Sequence, residues 1–231
     1  MPDAAPAPAA LRDAATIVLW RRSREGAVEV LMGQRGAGAA FMPSKFVFPG
    51  GAVDPADEAV RIGGALPDIC ARGLAIESQR RPETLAASAI RELWEETGLA
   101  LGLPGEWDQP PEDKGHDWRA FADRGLCPSA AGLRFIFRAI TPPGRPRRFD
   151  ARFFLADAAG ITGDSEDFSA ATDELSHLHW VGLEAARRLD LPFITEVVLA
   201  EVKARLARGP DPAGVPFFDN SGDRPRFRRL G

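Results

Sequence analysis

Two groups of strand-like segments, separated by one long helical segment and closed by a second, predict a mixed α/β or α+β fold. The order lacks the regular strand–helix alternation of a parallel doubly wound sheet, and no internal repeat is visible. At 231 residues, with 45% hydrophobic and 27% charged side chains, the chain can bury a sizeable core, as one large domain or two small ones. One domain over residues 13–208 is the organisation the segments favour.

Residues 1–10 are a Pro/Ala tail with neither a basic start nor a sustained apolar run, so no secretory signal is read there. Residues 1–12 are expected to be a disordered tail. Residues 14–20 and 28–32 read as strands joined by the polar stretch 21–26, a hairpin pattern. A short strand at 46–48 runs into Pro49, Gly50 and Gly51, where paired glycines permit a turn closed to other residues. Residues 52–82 carry scattered Pro and Gly with weakly helical stretches between them, and read as an inserted excursion.

A helix follows over about 82–97, with Pro82 suited to its first turn and Gly98 to a left-handed C-cap. Residues 101–130 are rich in Pro and Gly and read as loop. In 133–140 and 148–155, alternation of apolar and polar residues predicts two strands of a half-buried sheet. An acidic loop, 164–174, leads to a last strand near 178–181. An amphipathic helix near 193–207 bears Ile194, Val197, Val198, Val202 and Leu206, and residues 209–231 read as an irregular C-terminal tail.

The net charge of −4 argues against general nucleic-acid or anionic-membrane binding. The aliphatic run 17–20 is strand-sized and too short to span a bilayer. Cys70 and Cys127 show no paired-ligand spacing, which fits a reducing compartment and excludes a cysteine-built zinc site. The expected setting is cytoplasmic and the expected partner a small molecule, with no nucleic acid and no membrane.

The chemistry concentrates in the helix. At about 100° per residue, Glu92, Glu95 and Glu96 share one narrow stripe, beside an apolar stripe of Leu85, Ala86, Ala89, Ile90 and Leu93. Like charges at such spacings cost roughly 0.2–0.5 kcal/mol per pair in an isolated helix, so a cation is expected beside them. Closely spaced carboxylates and few histidines suit Mg²⁺ or Mn²⁺, which prefer oxygen ligands. Arg91 can reach Glu95 one turn on, and Glu83 in the first turn suits the helix N-terminus. Asp54 and Asp57 read as side chains that tighten the turn by local bonds. His177 and His179 read as structural or edge residues, and Trp180 as a core residue.

From Glu83 onward, all eight specified positions of the string Glu83, Arg91, Glu92, Leu93, Glu95, Glu96, Gly98 and Leu99 match the second part of the Nudix box, Gx5Ex7REUxEExGU. The chain therefore resembles the Nudix hydrolase superfamily. The box glycine falls at Gly51, so residues 52–82 form a long insertion inside the motif. Phe41 to Asp54, with this insertion, resembles the coenzyme A diphosphatase-like branch. The resemblance implies an α/β/α sandwich around a central mixed sheet, with the catalytic helix at about 82–97. It also implies metal-dependent cleavage of a nucleoside diphosphate linked to another group.

Carried over position by position, Glu92, Glu95 and Glu96 look like metal ligands, the Gly50 carbonyl like a backbone ligand, and Arg91 like the residue that orients the cluster. A carboxylate outside the box often assists as base in this family; Glu174 is the preferred candidate, ahead of Glu166 and Asp173. Arg35 and Lys45 flank the Gly-Gly turn and could grip phosphate. Coenzyme A or an acyl derivative is the first substrate expectation. An ADP-ribose, NADH or nucleotide-sugar pyrophosphatase, or a nucleotide-sensing module without turnover, are the alternatives. A dimerisation role for 52–82, and so a homodimer, is compatible with any of these.

Overall fold

The computed structural model describes residues 9–39, 41–107, 117–209, 214–222 and 224–231. The chain opens with β1 (Leu11–Arg22) and β2 (Val28–Arg35), an antiparallel pair, then β3 (Phe46–Val47) and β4 (Gly50–Ala52). A 3-10 turn (Pro55–Glu58) and α1 (Asp68–Ala75) precede the long helix α2 (Pro82–Thr97). Next come β5 (Gly102–Pro104), α3 (Asp117–Asp123) and β6 (Leu126–Pro128), with β5 and β6 forming a small separate ladder. Then follow β7 (Arg134–Ile140), β8 (Arg148–Asp157), β9 (Leu175–Gly182), α4 (Leu183–Ala186), α5 (Phe193–Arg208), β10 (Val215–Asp219) and β11 (Arg226–Leu230).

The central sheet runs β11-β10-β7-β8-β1-β2-β3, with β9 on β2 and β4 on β1. The β1–β8 and β7–β10 pairs are parallel and the others antiparallel, so the sheet is mixed as expected. β1 gives Trp20–Arg22 to β2 and Ala14–Thr16 to β4. One strand edge thus serves two partners, and the sheet forks where the Gly-Gly turn sits.

Side chains alternate across this sheet, and each face has its own core. Ile17, Leu19, Leu31, Phe154 and Ala156 pack with α1, α2 and α3, while Val18, Val30, Met32, Phe153 and Leu155 pack with α4 and α5. Helices on both sides make the α/β/α sandwich. No helix among the described residues is long and apolar enough to cross a membrane. Both cysteines are free thiols.

Three expectations for the chain after residue 100 are corrected. β7 and β8 are covered on both faces rather than half-buried, and their polar positions form a buried ion network. Arg138 donates to Asp150 at 2.8 and 2.6 Å, and Arg152 donates to Asp13 at 2.5 Å. Residues 101–130, expected as loop, supply α3, whose Trp118 and Phe121 are fully buried; residues 108–116 lie outside the described part. Residues 209–231, expected as an irregular tail, contain β10 and β11 and extend the sheet past β7.

The reason for the last correction is long-range. Phe217 is buried at 1% exposure, with the guanidinium carbons of Arg138 and Arg228 each 4.5 Å from its ring centroid. Arg228 also reaches Glu77 at 2.7 and 2.5 Å, and Arg138 donates to the Ile76 and Glu77 carbonyls. The hairpin is thereby tied to the 52–82 insertion. At the other end β1 starts at Leu11, inside the expected tail, because Leu11–Trp20 pair with β8; residues 1–8 lie outside the described part.

Phe217→Ala is expected to lower unfolding free energy by about 3–5 kcal/mol in urea titration. Ile69→Ala, at a 63% exposed site, should stay within about 0.5 kcal/mol of the parent.

Candidate functional site

α2 starts at Pro82, as the fixed φ of proline allows, and stops at Gly98, whose φ of 75° places it in the left-handed region. The Gly98 N–H donates to the Trp94 carbonyl at 2.7 Å. The apolar stripe Leu85, Ala86, Ala89, Ile90 and Leu93 is fully buried against the sheet. The opposite side is not left to water, because the 3-10 turn, α1 and α3 pack over it. Arg91, Glu92 and Glu96 are buried as a result.

The Gly-Gly turn lies against this ridge. A Cβ on Gly50 would stand 2.6 Å from the Thr16 Cα, and one on Gly51 would stand 2.5 Å from both Glu92 carboxylate oxygens. Backbone approach to β1 excludes a side chain at the first position, and at the second a side chain would have to displace the Glu92 carboxylate. The Gly50 N–H donates to Glu96 Oε2 at 2.8 Å.

Arg91 is the hub. Its Nε and Nη2 donate to Asp57 at 2.9 and 3.1 Å, its Nη1 reaches both Glu95 oxygens at 3.1 and 3.0 Å, and Nη2 also donates to the Ala52 carbonyl at 3.0 Å. Nη1 lies 3.0 Å from Glu92 Oε1. Asp57 closes the web from the far side. Its side chain is fully enclosed and accepts from Trp118 Nε1 at 3.1 Å and the Asp54 N–H at 2.9 Å.

Even so, the cluster stays short of positive charge. Asp57, Glu92, Glu95, Glu96 and Glu174 face the guanidiniums of Arg91 and Arg35. Burial pushes the Glu92 carboxyl up to about 7 against the pull of Arg91, with Glu174 and Asp57 pushing the same way. Burial first, then the Glu92 charge, hold Glu96 well above the usual carboxylate range despite the Gly50 N–H. Buried acids that repel one another provide the electrostatics a hard divalent cation would relieve.

Arg91, Glu92, Glu95 and Glu96, with Gly50 and Gly51, line a cleft of about 1140 Å³, which Arg35, Lys45 and Glu174 also line. Arg35 Nε is buried there without a hydrogen-bond partner. Lys45 lines the wall but is ion-paired with Asp190. Glu174 is exposed at the start of β9 and close enough to act on both Glu92 and Glu96. Glu166 lies elsewhere, bonded to Arg21 at 2.5 Å, and neither it nor Asp173 lines the cleft. Trp180 is half-buried under Arg21, 4.2 Å from its ring centroid, and donates to the Ser165 carbonyl. His179 packs edge-on against Phe46, while His177 is exposed at φ 53°.

The model of the NUDIX domain matches residues 10–202. The chain belongs to the Nudix family. A Caenorhabditis elegans relative carrying the provisional name nudix hydrolase 7 is 28% identical over 179 residues, which cover 74% of this chain. The chain spans about half the length of that curated relative, 51%. The crystal structure of a NUDIX hydrolase from Alicyclobacillus acidocaldarius is 29% identical, with a TM-score of 0.62, covering 83% of this chain and 90% of the other.

Nudix enzymes generally use divalent metal ions. The oxygen-only donor set around Gly50 fits such an ion. As they stand, no three acidic, imidazole or thiol groups among the described residues converge on one point, with Glu95 turned onto Arg91 and Glu96 onto Gly50. Two members of this Nudix site were not visible as such in the sequence. Asp54 and Asp57 do make local side-chain bonds, in the form of a capping box, yet Asp57 also grips Arg91 across 34 positions. Trp118 comes from a stretch expected to be loop.

Asp57→Ala strands a buried guanidinium, and is expected to cost about 3–5 kcal/mol in denaturant unfolding. Gly51→Ala displaces a side-chain end rather than backbone, so the fold should survive. Its expected mark, if Glu92 serves the reaction, is a drop in kcat of about a hundredfold, read by steady-state kinetics.

Proposed function

We propose that this Nudix protein hydrolyses a diphosphate linkage in a nucleoside-diphosphate-linked substrate, using Mg²⁺ or Mn²⁺, with coenzyme A or an acyl-coenzyme A as the first substrate class. The observation that carries the reading is the pair of buried, mutually repelling carboxylates, Glu92 and Glu96, packed against Gly50 and Gly51 at the head of a deep cleft. The resemblance of Phe41 to Asp54 to the coenzyme A branch supports the substrate class. So does the apolar wall of the same cleft, which includes Phe41, Phe149, Leu191, Phe193 and Ile194 and suits a long organic arm.

In this reading Glu92, Glu95, Glu96 and the Gly50 carbonyl would hold the ion. When bound, a divalent ion offsets charge on the diphosphate and lowers the pKa of an attacking water. Arg91 positions Glu95 through its paired contacts and keeps the ridge at fixed height over β4. Glu174, on the open side of the cluster, takes the proton of the attacking water. Arg35, with its unpartnered Nε, grips a phosphate oxygen. Lys45 joins it when it leaves Asp190.

Incubation with Mg²⁺ or Mn²⁺ and a panel of coenzyme A, ADP-ribose, NADH and dinucleoside polyphosphates, followed by product separation, tests the reading. Two monophosphate-type products are expected, and excess chelator should abolish them. Glu95→Gln and Glu96→Gln should each lower kcat by about a hundredfold or more. Full activity in both variants would remove the assigned site, and no turnover of any compound would leave a nucleotide-sensing module.

A further inference from the structure

The lining of the same cleft carries a second charge centre of opposite sign. Arg145 and Arg147 project from the tip of the β7–β8 hairpin, and Arg12 stands on β1 directly opposite Phe149 in the parallel β1–β8 register. All three are exposed and line the cleft. None of their side chains has a hydrogen-bond or ion-pair partner among the described residues. That sets them apart from Arg21, Arg80, Arg91, Arg138, Arg152 and Arg228, each of which meets a carboxylate. In a chain of net charge −4 with acids to spare, three unpaired guanidiniums on one rim are an anion-attracting field.

The rim is also built to hold its shape. Pro142, Pro143 and Pro146 restrict the hairpin tip, and Gly144 turns it at φ 81°. Its base is stapled by the Thr141 N–H to the Phe149 carbonyl at 2.8 Å, by the Phe149 N–H to Thr141 Oγ1 at 3.0 Å, and by Arg148 Nε to the Thr141 carbonyl at 3.1 Å. Phe41 packs edge-on against Phe149, with ring centroids 5.3 Å apart, and both rings line the cleft. Met42 and Ser44, beside Phe41, hold left-handed backbone at φ 51° and 61°, strain that is retained where a wall must be placed.

We propose that Arg12, Arg145 and Arg147 form a second anion station, which binds a phosphate monoester carried by the substrate at a distance from the diphosphate that is cleaved. This rests on the diphosphate-hydrolase reading and deepens it, because it predicts discrimination between substrates that share the scissile bond. Guanidinium forks favour a phosphate dianion over a neutral hydroxyl, and the rigid tip reduces the ordering cost of that contact.

The test uses pairs that differ only in the remote phosphate: coenzyme A against its 3′-dephospho form, and NADPH against NADH. In Arg12→Ala, Arg145→Ala and Arg147→Ala the ratio of kcat/KM between the phosphate-bearing member and its partner should fall about tenfold per arginine, most of it in KM. Calorimetry with adenosine 3′,5′-bisphosphate against AMP should show the same loss of preference, and raised salt should erode it in the parent. A ratio that does not move in any variant, together with equal binding of the two probes by the parent, overturns the proposal. If the parent cleaves neither member of either pair, the coenzyme A substrate class fails by itself, and the two probes still decide whether the arginines bind a phosphate monoester.

Discussion

A guanidinium taken out of water carries a desolvation penalty of several kcal/mol unless its donors are all engaged. Arg91 is such a group, and the way it is satisfied organises the molecule. Asp57 engages it from the insertion, Glu92 and Glu95 from its own helix, and the Ala52 carbonyl from β4. Three stretches of chain meet at one planar cation. The insertion is therefore half of the clamp that fixes α2 against the Gly-Gly turn, as well as a cover for its outer face.

The same cluster shows stability yielding to chemistry. A helix chosen for packing alone would not place Glu92 and Glu96 where burial and repulsion disfavour their charged forms. One arginine is shared by three acids and a second approaches through space, so the balance is left negative on the side that opens to the cleft. The fold confines that imbalance to one ridge, and the remaining buried charges are closed into networks such as Arg138, Asp150, Arg152 and Asp13.

What the sequence made legible follows the range of the interactions. The bounds of α2 were legible because Pro82 and Gly98 act on their own backbone, and the acidic stripe because helical spacing is local. The Gly-Gly turn was legible for the same reason. The grip of Asp57 on Arg91 was hidden, since its neighbours already explain it as a cap. The polar positions of β7 and β8 suggested solvent where there is a buried ion network, because alternation alone cannot tell water from a partner arginine. The C-terminal hairpin was hidden most deeply. Its few apolar residues sit among Pro, Asp and Arg, and its stability comes from Phe217 beside Arg138 and from parallel pairing with β7.

That hairpin has a bearing on how the chain is made. Until residues 214–231 have been synthesised, the outer edge of β7 has no neighbour, and an uncovered strand edge beside an apolar face is a template for wrong association. The sheet therefore cannot be completed by the earlier segments alone, and the β7 edge is protected only once β10 and β11 have docked on it.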